Sequence, residues 1–123
     1  MIRNAIKEAY KSNFDLRIGA VIVKSGRVLS KGYNKTGVYT KYAHVEFLSI
    51  HAEVDAIIKC LKSYRYSNLV GAKIYIAGLR KNGKLLLSKP CTRCAQLIRN
   101  VGIKKVYYTT NEQTVECYSV KRN

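Results

Sequence analysis

Ile2, Ala5, Ile6 and Ala9 recur at intervals of three and four, a spacing that predicts a short amphipathic helix ended by Asn13 and Asp15. Ile18 to Val23 is apolar and rich in β-branched residues, Lys24 to Arg27 reads as a turn, and Val28 to Tyr33 continues as a second strand, so the pair predicts a hairpin. Thr36 to Tyr42 reads as loop. Val54, Ile57, Ile58 and Leu61 then mark one face of a helix that opens near His51 and ends near Tyr64. Lys73 to Ala77 predicts a strand, and Arg80 to Lys84 a polar turn before Leu85, Leu86 and Leu87, as in a second hairpin or a bulged long strand. Pro90 is expected to start a helix whose inner face is Leu97, Ile98 and Val101 and whose cap is Gly102. Lys105 to Thr110 reads as a strand, and residues 111–123 show no clear period. Strands and helices in this alternation predict an α/β domain with helices packed on a sheet.

Composition narrows this to a single domain. The 123 residues are 47% hydrophobic, with one Pro and eight Gly, which excludes a disordered or fibrous chain. No apolar run approaches the roughly 20 residues of a membrane span, and Lys7 and Glu8 interrupt the start before a signal-peptide core forms. The expectation is therefore a cytoplasmic protein with no membrane partner. Charge adds more: Lys and Arg number 23 against seven Asp and Glu, a net +16 that points to an anionic partner, nucleic acid among the candidates. The excess is heavier after residue 62, where 12 basic side chains face only two acidic ones.

Chemistry concentrates at two predicted helix tips. Cys91 and Cys94, three apart, present their sulfurs on one face and are able to chelate one soft cation such as Zn2+. Unpaired N–H groups there are expected to favour thiolates. A thioredoxin-like redox pair has the same spacing but no need of a matched His and Glu, which His51-Ala52-Glu53 provides. Side chains two apart on a helix diverge, so His51 and Glu53 are expected to have different roles. With His51, Cys91 and Cys94 as metal ligands the fourth position is open to water, the pattern of a catalytic zinc, and Glu53 is the catalytic base beside it. A closed structural site that adds His44 leaves Glu53 without a role.

His51-Ala52-Glu53 with Pro90-Cys91-Thr92-Arg93-Cys94 is the H-x-E and P-C-x-x-C signature of zinc nucleobase deaminases. The chain resembles the cytidine and deoxycytidylate deaminase superfamily. Residues 51–60 and 102–108 look most like its deoxycytidylate deaminases, and Gly19 to Val23 followed by Gly32-Tyr33-Asn34 is similar to the family's first hairpin. The resemblance covers about residues 18–110. It implies a three-layer cytidine-deaminase-like fold with about five strands in a mixed sheet, a zinc cofactor, and hydrolysis of a cytosine nucleotide or nucleoside to the uracil compound and ammonia. It also implies assembly into homo-oligomers, and substrate contacts from Asn34 and Ala52. Asn34 otherwise reads as a turn residue. Tyr39 and Tyr42, before His51, are candidates for base stacking, and Lys35, Lys41 and Arg93 are phosphate candidates by position. The segment 79–89 interposes a basic stretch before the P-C motif and is expected to reshape one wall of the pocket. A polynucleotide cytosine or adenine deaminase is the alternative reading, and a non-catalytic zinc-stabilised binding module a third. Cys60 reads as core and Cys117 as an unassigned thiol.

Overall fold

A computed structural model describes residues 1–36, 49–63 and 69–121. Helix α1 (Ile2–Ala9) leads into the antiparallel hairpin β1 (Arg17–Lys24) and β2 (Arg27–Tyr33). Two-residue strands β3 (Lys35–Thr36) and β4 (Ser49–Ile50) pair with each other, so the predicted loop begins as a small ladder. Its remainder to Tyr42 lies outside the described residues. Helix α2 (Ala52–Ser63) follows, then β5 (Lys73–Leu79), the short β6 (Leu85–Leu86), helix α3 (Thr92–Asn100), β7 (Lys105–Thr109) and β8 (Val115–Ser119).

The main sheet has the order β2-β1-β5-β7-β8, with β6 on β5. Among the described residues only β5 and β7 pair in parallel, because α3 carries the chain back across the sheet between them; the other described pairs are antiparallel. Strand alternation divides the apolar residues between two cores. Ala20, Ile22, Ile74, Ile76 and Val106 face Ala56, Ile57 and Cys60 of α2 and Ile98 of α3, all of them fully or almost fully buried. Val21, Val23 and Ala77 face Ala5 of α1. The result is three layers, and the cytidine-deaminase-like α/β architecture expected from the sequence is present, with a sixth, two-residue strand.

Glycine lets both helices lie directly on the sheet. A Cβ at Gly32 would overlap the carbonyl of Ala52 and the amide of Ala56 in α2, and one at Gly19 would overlap Ala5 and Ala9 of α1. Ser30 adds a hydroxyl hydrogen bond to the Ala56 carbonyl. These contacts seat the N-terminus of α2, and with it His51 to Glu53, against β2.

One predicted boundary moves. Cys91, not Pro90, caps α3, which opens at Thr92, so Pro90 sits one residue outside the helix. Gly102 follows the C-cap Val101 at φ +90°, a conformation that favours glycine. Residues 115–119 form an edge strand that no periodicity announced. Tyr118 alone in that strand is half-buried while its neighbours are exposed, so it lacks the alternation a packed strand would show. Among the described residues no helix is long and apolar enough to cross a membrane.

Candidate active site

His51 stands at the head of α2, where its carbonyl accepts the Asp55 amide, and Cys91 and Cys94 occupy the cap and third positions of α3. Packing of α2 and α3 on the same sheet face brings the two tips together. His51 Nδ1 lies 3.3 Å from Cys94 Sγ and 3.8 Å from Cys91 Sγ, and the three ligand atoms fall within 4.8 Å of one another. Tetrahedral zinc, with bonds of about 2.1 Å to nitrogen and 2.3 Å to sulfur, needs N···S separations of about 3.5 Å. The donor set and spacing fit that ion. Cys94 is buried, whereas His51 and Cys91 are exposed toward a cavity of about 520 Å³.

Glu53, one residue into α2 from Ala52, is 5% exposed and also lines the cavity. Burial raises its carboxyl above the ordinary value, against the opposing pull of its own backbone amide, His51 and Cys94. Burial likewise pushes the Cys94 thiol up, reinforced by Glu53 and Cys91. This reverses the direction expected from the helix terminus: desolvation at a buried sulfur outweighs the partial charge of the tip. A divalent cation held by His51, Cys91 and Cys94 would favour the thiolate again.

The remaining candidates separate. Asn34 lines the cavity, yet its Oδ1 accepts the Ile18 amide at 2.9 Å and its Nδ2 donates to the Leu16 carbonyl at 2.9 Å, so the side chain also clamps the start of β1. Ala52 is buried in the cavity wall at the first turn of α2. Lys35 is turned to Asp55, 2.9 Å away, and lies over the Tyr33 ring. Burial works against its charge, but the hydrogen bond and carboxylate of Asp55 prevail and raise its pKa. Arg93 is exposed on α3 and is not among the residues lining the cavity. Tyr39, Lys41, Tyr42 and His44 lie outside the described residues.

Sequence reasoning expected segment 79–89 to reshape one wall of the pocket but named none of the other lining residues. Phe14, Leu16 and Ile18 and, from the segment before Cys91, Leu87, Ser88 and Lys89 complete the lining. Lys89, next to the P-C motif, is the lysine of that lining; its Nζ lies 5.9 and 5.7 Å from the rings of Tyr108 and Tyr118. A buried knot holds this segment: Ser88 Oγ donates to the Ile76 carbonyl, the Thr109 amide donates to Ser88 Oγ, and Thr109 Oγ1 donates to the Leu86 carbonyl. The interposed segment thus becomes one wall of the cavity. Its adjacency to Cys91 was the available signal.

The profile of the cytidine and deoxycytidylate deaminase zinc-binding region matches residues 1–110. ComE operon protein 2 of Bacillus subtilis is 32% identical over 108 residues, covering 80% of this chain and 51% of that protein. The tRNA-specific adenosine deaminase of Agrobacterium fabrum is 29% identical over 94 residues, covering 76% and 51%. The chain therefore spans about half the length of these curated relatives. Among solved structures, the apo dCMP deaminase of cyanophage S-TIM5 superposes with a TM-score of 0.68 at 28% identity, over 89% of this chain and 79% of that one.

Proposed function

The chain belongs to the cytidine and deoxycytidylate deaminase family, and from that premise we propose that it hydrolyses the exocyclic amine of a cytosine nucleotide or nucleoside. The observation that carries this reading is the buried Glu53 carboxyl beside the His51, Cys91 and Cys94 cluster, at the wall of one cavity. Zinc, held by those three residues, supplies the Lewis acidity that makes a water nucleophilic near neutral pH. Glu53 takes the proton of that water and passes it to the ring N3. The C4–O bond forms as N3 is protonated; the same carboxyl then takes the second proton, from the new C4 hydroxyl, and gives it to the amine as the C4–N bond breaks, so cytosine and water become uracil and ammonia. Phe14, Leu16 and Leu87 line the cavity with apolar surface for the base, and the Ala52 amide, at the first turn of α2, is our candidate donor to a ring carbonyl. Lys89, among the lining residues, would offer a phosphate its ammonium, which supports a nucleotide as substrate.

A polynucleotide substrate is the second reading. It is favoured by the net charge of +16, more than one phosphate requires, and by the likeness to a tRNA-specific adenosine deaminase. One experiment separates them: zinc-loaded protein and its Glu53→Gln variant are incubated with cytosine nucleosides, their monophosphates, and single strands containing C or A, and the products are weighed by mass spectrometry. Conversion of a monophosphate by the wild type, reduced 100-fold or more in the variant at unchanged zinc content, is expected. Conversion of strands alone supports the second reading. Wild-type rates in Glu53→Gln would remove the mechanism, and no conversion of any substrate would leave a binding module.

A further inference from the structure

Among the described residues two other than glycine have a positive φ, Ser25 at 52° and Gln113 at 65°, a backbone region that L side chains occupy at a cost. Ser25 and Gly26 form the two-residue loop between β1 and β2, a hairpin turn that calls for positive φ at both positions. Gln113 lies in the turn between β7 and β8, and its side chain reaches Leu85, 28 positions away in the chain. Its Oε1 accepts the Leu85 amide at 2.8 Å and its Nε2 donates to the Leu85 carbonyl at 3.0 Å. One side-chain amide thus makes both hydrogen bonds that a residue of a neighbouring strand would make. Two residues on, Asn111 Oδ1 accepts the Leu87 amide at 2.9 Å, and Gln113 Nε2 also donates to the Asn111 carbonyl at 3.0 Å, which ties the two clamping residues together.

The clamped strand leads directly into the cavity. β6 takes up the edge of β5 beyond the last β5–β7 pair, Ile76 with Tyr108, and Leu87, Ser88 and Lys89, which follow it, line the cavity. Burial does little to hold these residues in place, since Leu87 is 50% exposed and Lys89 is exposed as well. Hydrogen bonds have to do it. The Ser88 amide donates to the Thr109 carbonyl at 3.0 Å beside the knot of Ser88 and Thr109 hydroxyls, and the Gln113 and Asn111 side chains fix the two residues that flank Leu86. Glycine would adopt the backbone of Gln113 without cost, but it has no amide to offer Leu85. The side chain, not the turn, is what the strained position serves.

We propose that Gln113 and Asn111 are positioning residues of the cavity: through the backbone of Leu85 and Leu87 they fix where Leu87 and Lys89 stand in its wall, and so set the affinity for a nucleotide rather than the rate of its chemistry. The proposal rests on the deaminase reading for the identity of that ligand.

Uridine and deoxyuridine 5′-monophosphates, the products of the proposed reaction, have no amine to lose, so their dissociation constants on the zinc-loaded protein report on the wall without turnover. Gln113→Gly relaxes the backbone and removes both bonds to Leu85. It is expected to melt within a few degrees of wild type yet bind about fivefold more weakly, because a wall no longer ordered in advance has to be ordered on binding. Asn111→Ala is expected to weaken binding in the same direction. Ser25→Gly, the same backbone relief at a residue outside the cavity lining, is expected to bind as wild type. Amide exchange followed by NMR should quicken at Leu85 in Gln113→Gly and at Leu87 in Asn111→Ala. With cytidine or deoxycytidine monophosphate, KM is expected to rise by the factor seen in binding while kcat stays within twofold, since Glu53 and the ligand cluster are untouched. Unchanged affinity in Gln113→Gly, an equal loss in Ser25→Gly, a fall in kcat at unchanged KM, or a wild type that binds neither product would each overturn the proposal. Clamp-dependent binding by a wild type that converts no substrate would uphold it and sink the deaminase reading, and conversion with clamp-independent binding would do the reverse.

Discussion

Zinc must compete with a proton at Cys94. Its thiol is raised by burial first and then by Glu53 and Cys91, so it is protonated at neutral pH before the ion arrives, and binding releases that proton. Because the protonated form dominates, apparent zinc affinity rises with pH, by up to about tenfold per unit for this one proton. Competition with a chromogenic chelator between pH 7 and 8.5 measures it, and an affinity flat in pH would contradict the assignment of Cys94. His51→Ala removes the only nitrogen of the set and is expected to lose zinc and melting temperature together, while Glu53→Gln keeps both. The contrast follows from their places: His51 Nδ1 faces both sulfurs, and Glu53 lines the cavity beside them. These four residues were legible in the sequence because ligand chemistry demands specific residue types at fixed spacing. Lys35 was not, because its pairing with Asp55, 20 positions away in the chain, is decided by how α2 lies on β2.

Elements placed by strong periodicity were legible for a related reason. β1, β5 and α2 are buried on at least one face, so their apolar residues repeat at the period of the element that buries them. β8 is an edge strand with four of its five residues exposed, and its register against β7 is fixed by the Thr110–Thr114 turn, where the two hydroxyls lie 2.6 Å apart. Nothing in residues 115–119 has to be apolar. Gly32 shows the converse: one missing Cβ, unremarkable in the sequence, sets the height of α2 above the sheet. Gly32→Ala pushes the backbone of Ala52 and Ala56 away, and with it the tip that carries His51. Overpacking of this kind costs about 1–3 kcal/mol. The variant is therefore expected to melt lower and to hold zinc less tightly than wild type, whereas Gly26→Ala, where an added Cβ meets nothing, should leave zinc affinity unchanged and lower the melting temperature only through its positive φ. Equal zinc affinity in wild type and Gly32→Ala would show that α2 is positioned by something other than this contact.

Charge acts on the molecule as a whole. At +16 on 123 residues, with few carboxylates and several of those already paired or enclosed in the fold, the compact state holds cations together that the unfolded chain separates. Surface pairs such as Lys81 with Asp15, 3.9 Å apart and both largely exposed, return little of this. Screening should therefore stabilise the protein. The Debye length falls from about 30 Å at 0.01 M salt to about 8 Å at 0.15 M, a change from spanning the domain to spanning a few side chains. The melting temperature of the zinc-loaded protein is expected to rise by a few degrees over that range, and to rise further with sulfate than with chloride at equal ionic strength, because a divalent anion bridges neighbouring lysines. Removing three charges at Lys24, Lys73 and Lys104 should reduce the salt response, since these lysines crowd one depression, while Lys31, Lys62 and Lys84, which that depression does not bring together, should matter less. A melting temperature that falls with added salt would mean that attractive pairs dominate the fold's electrostatics.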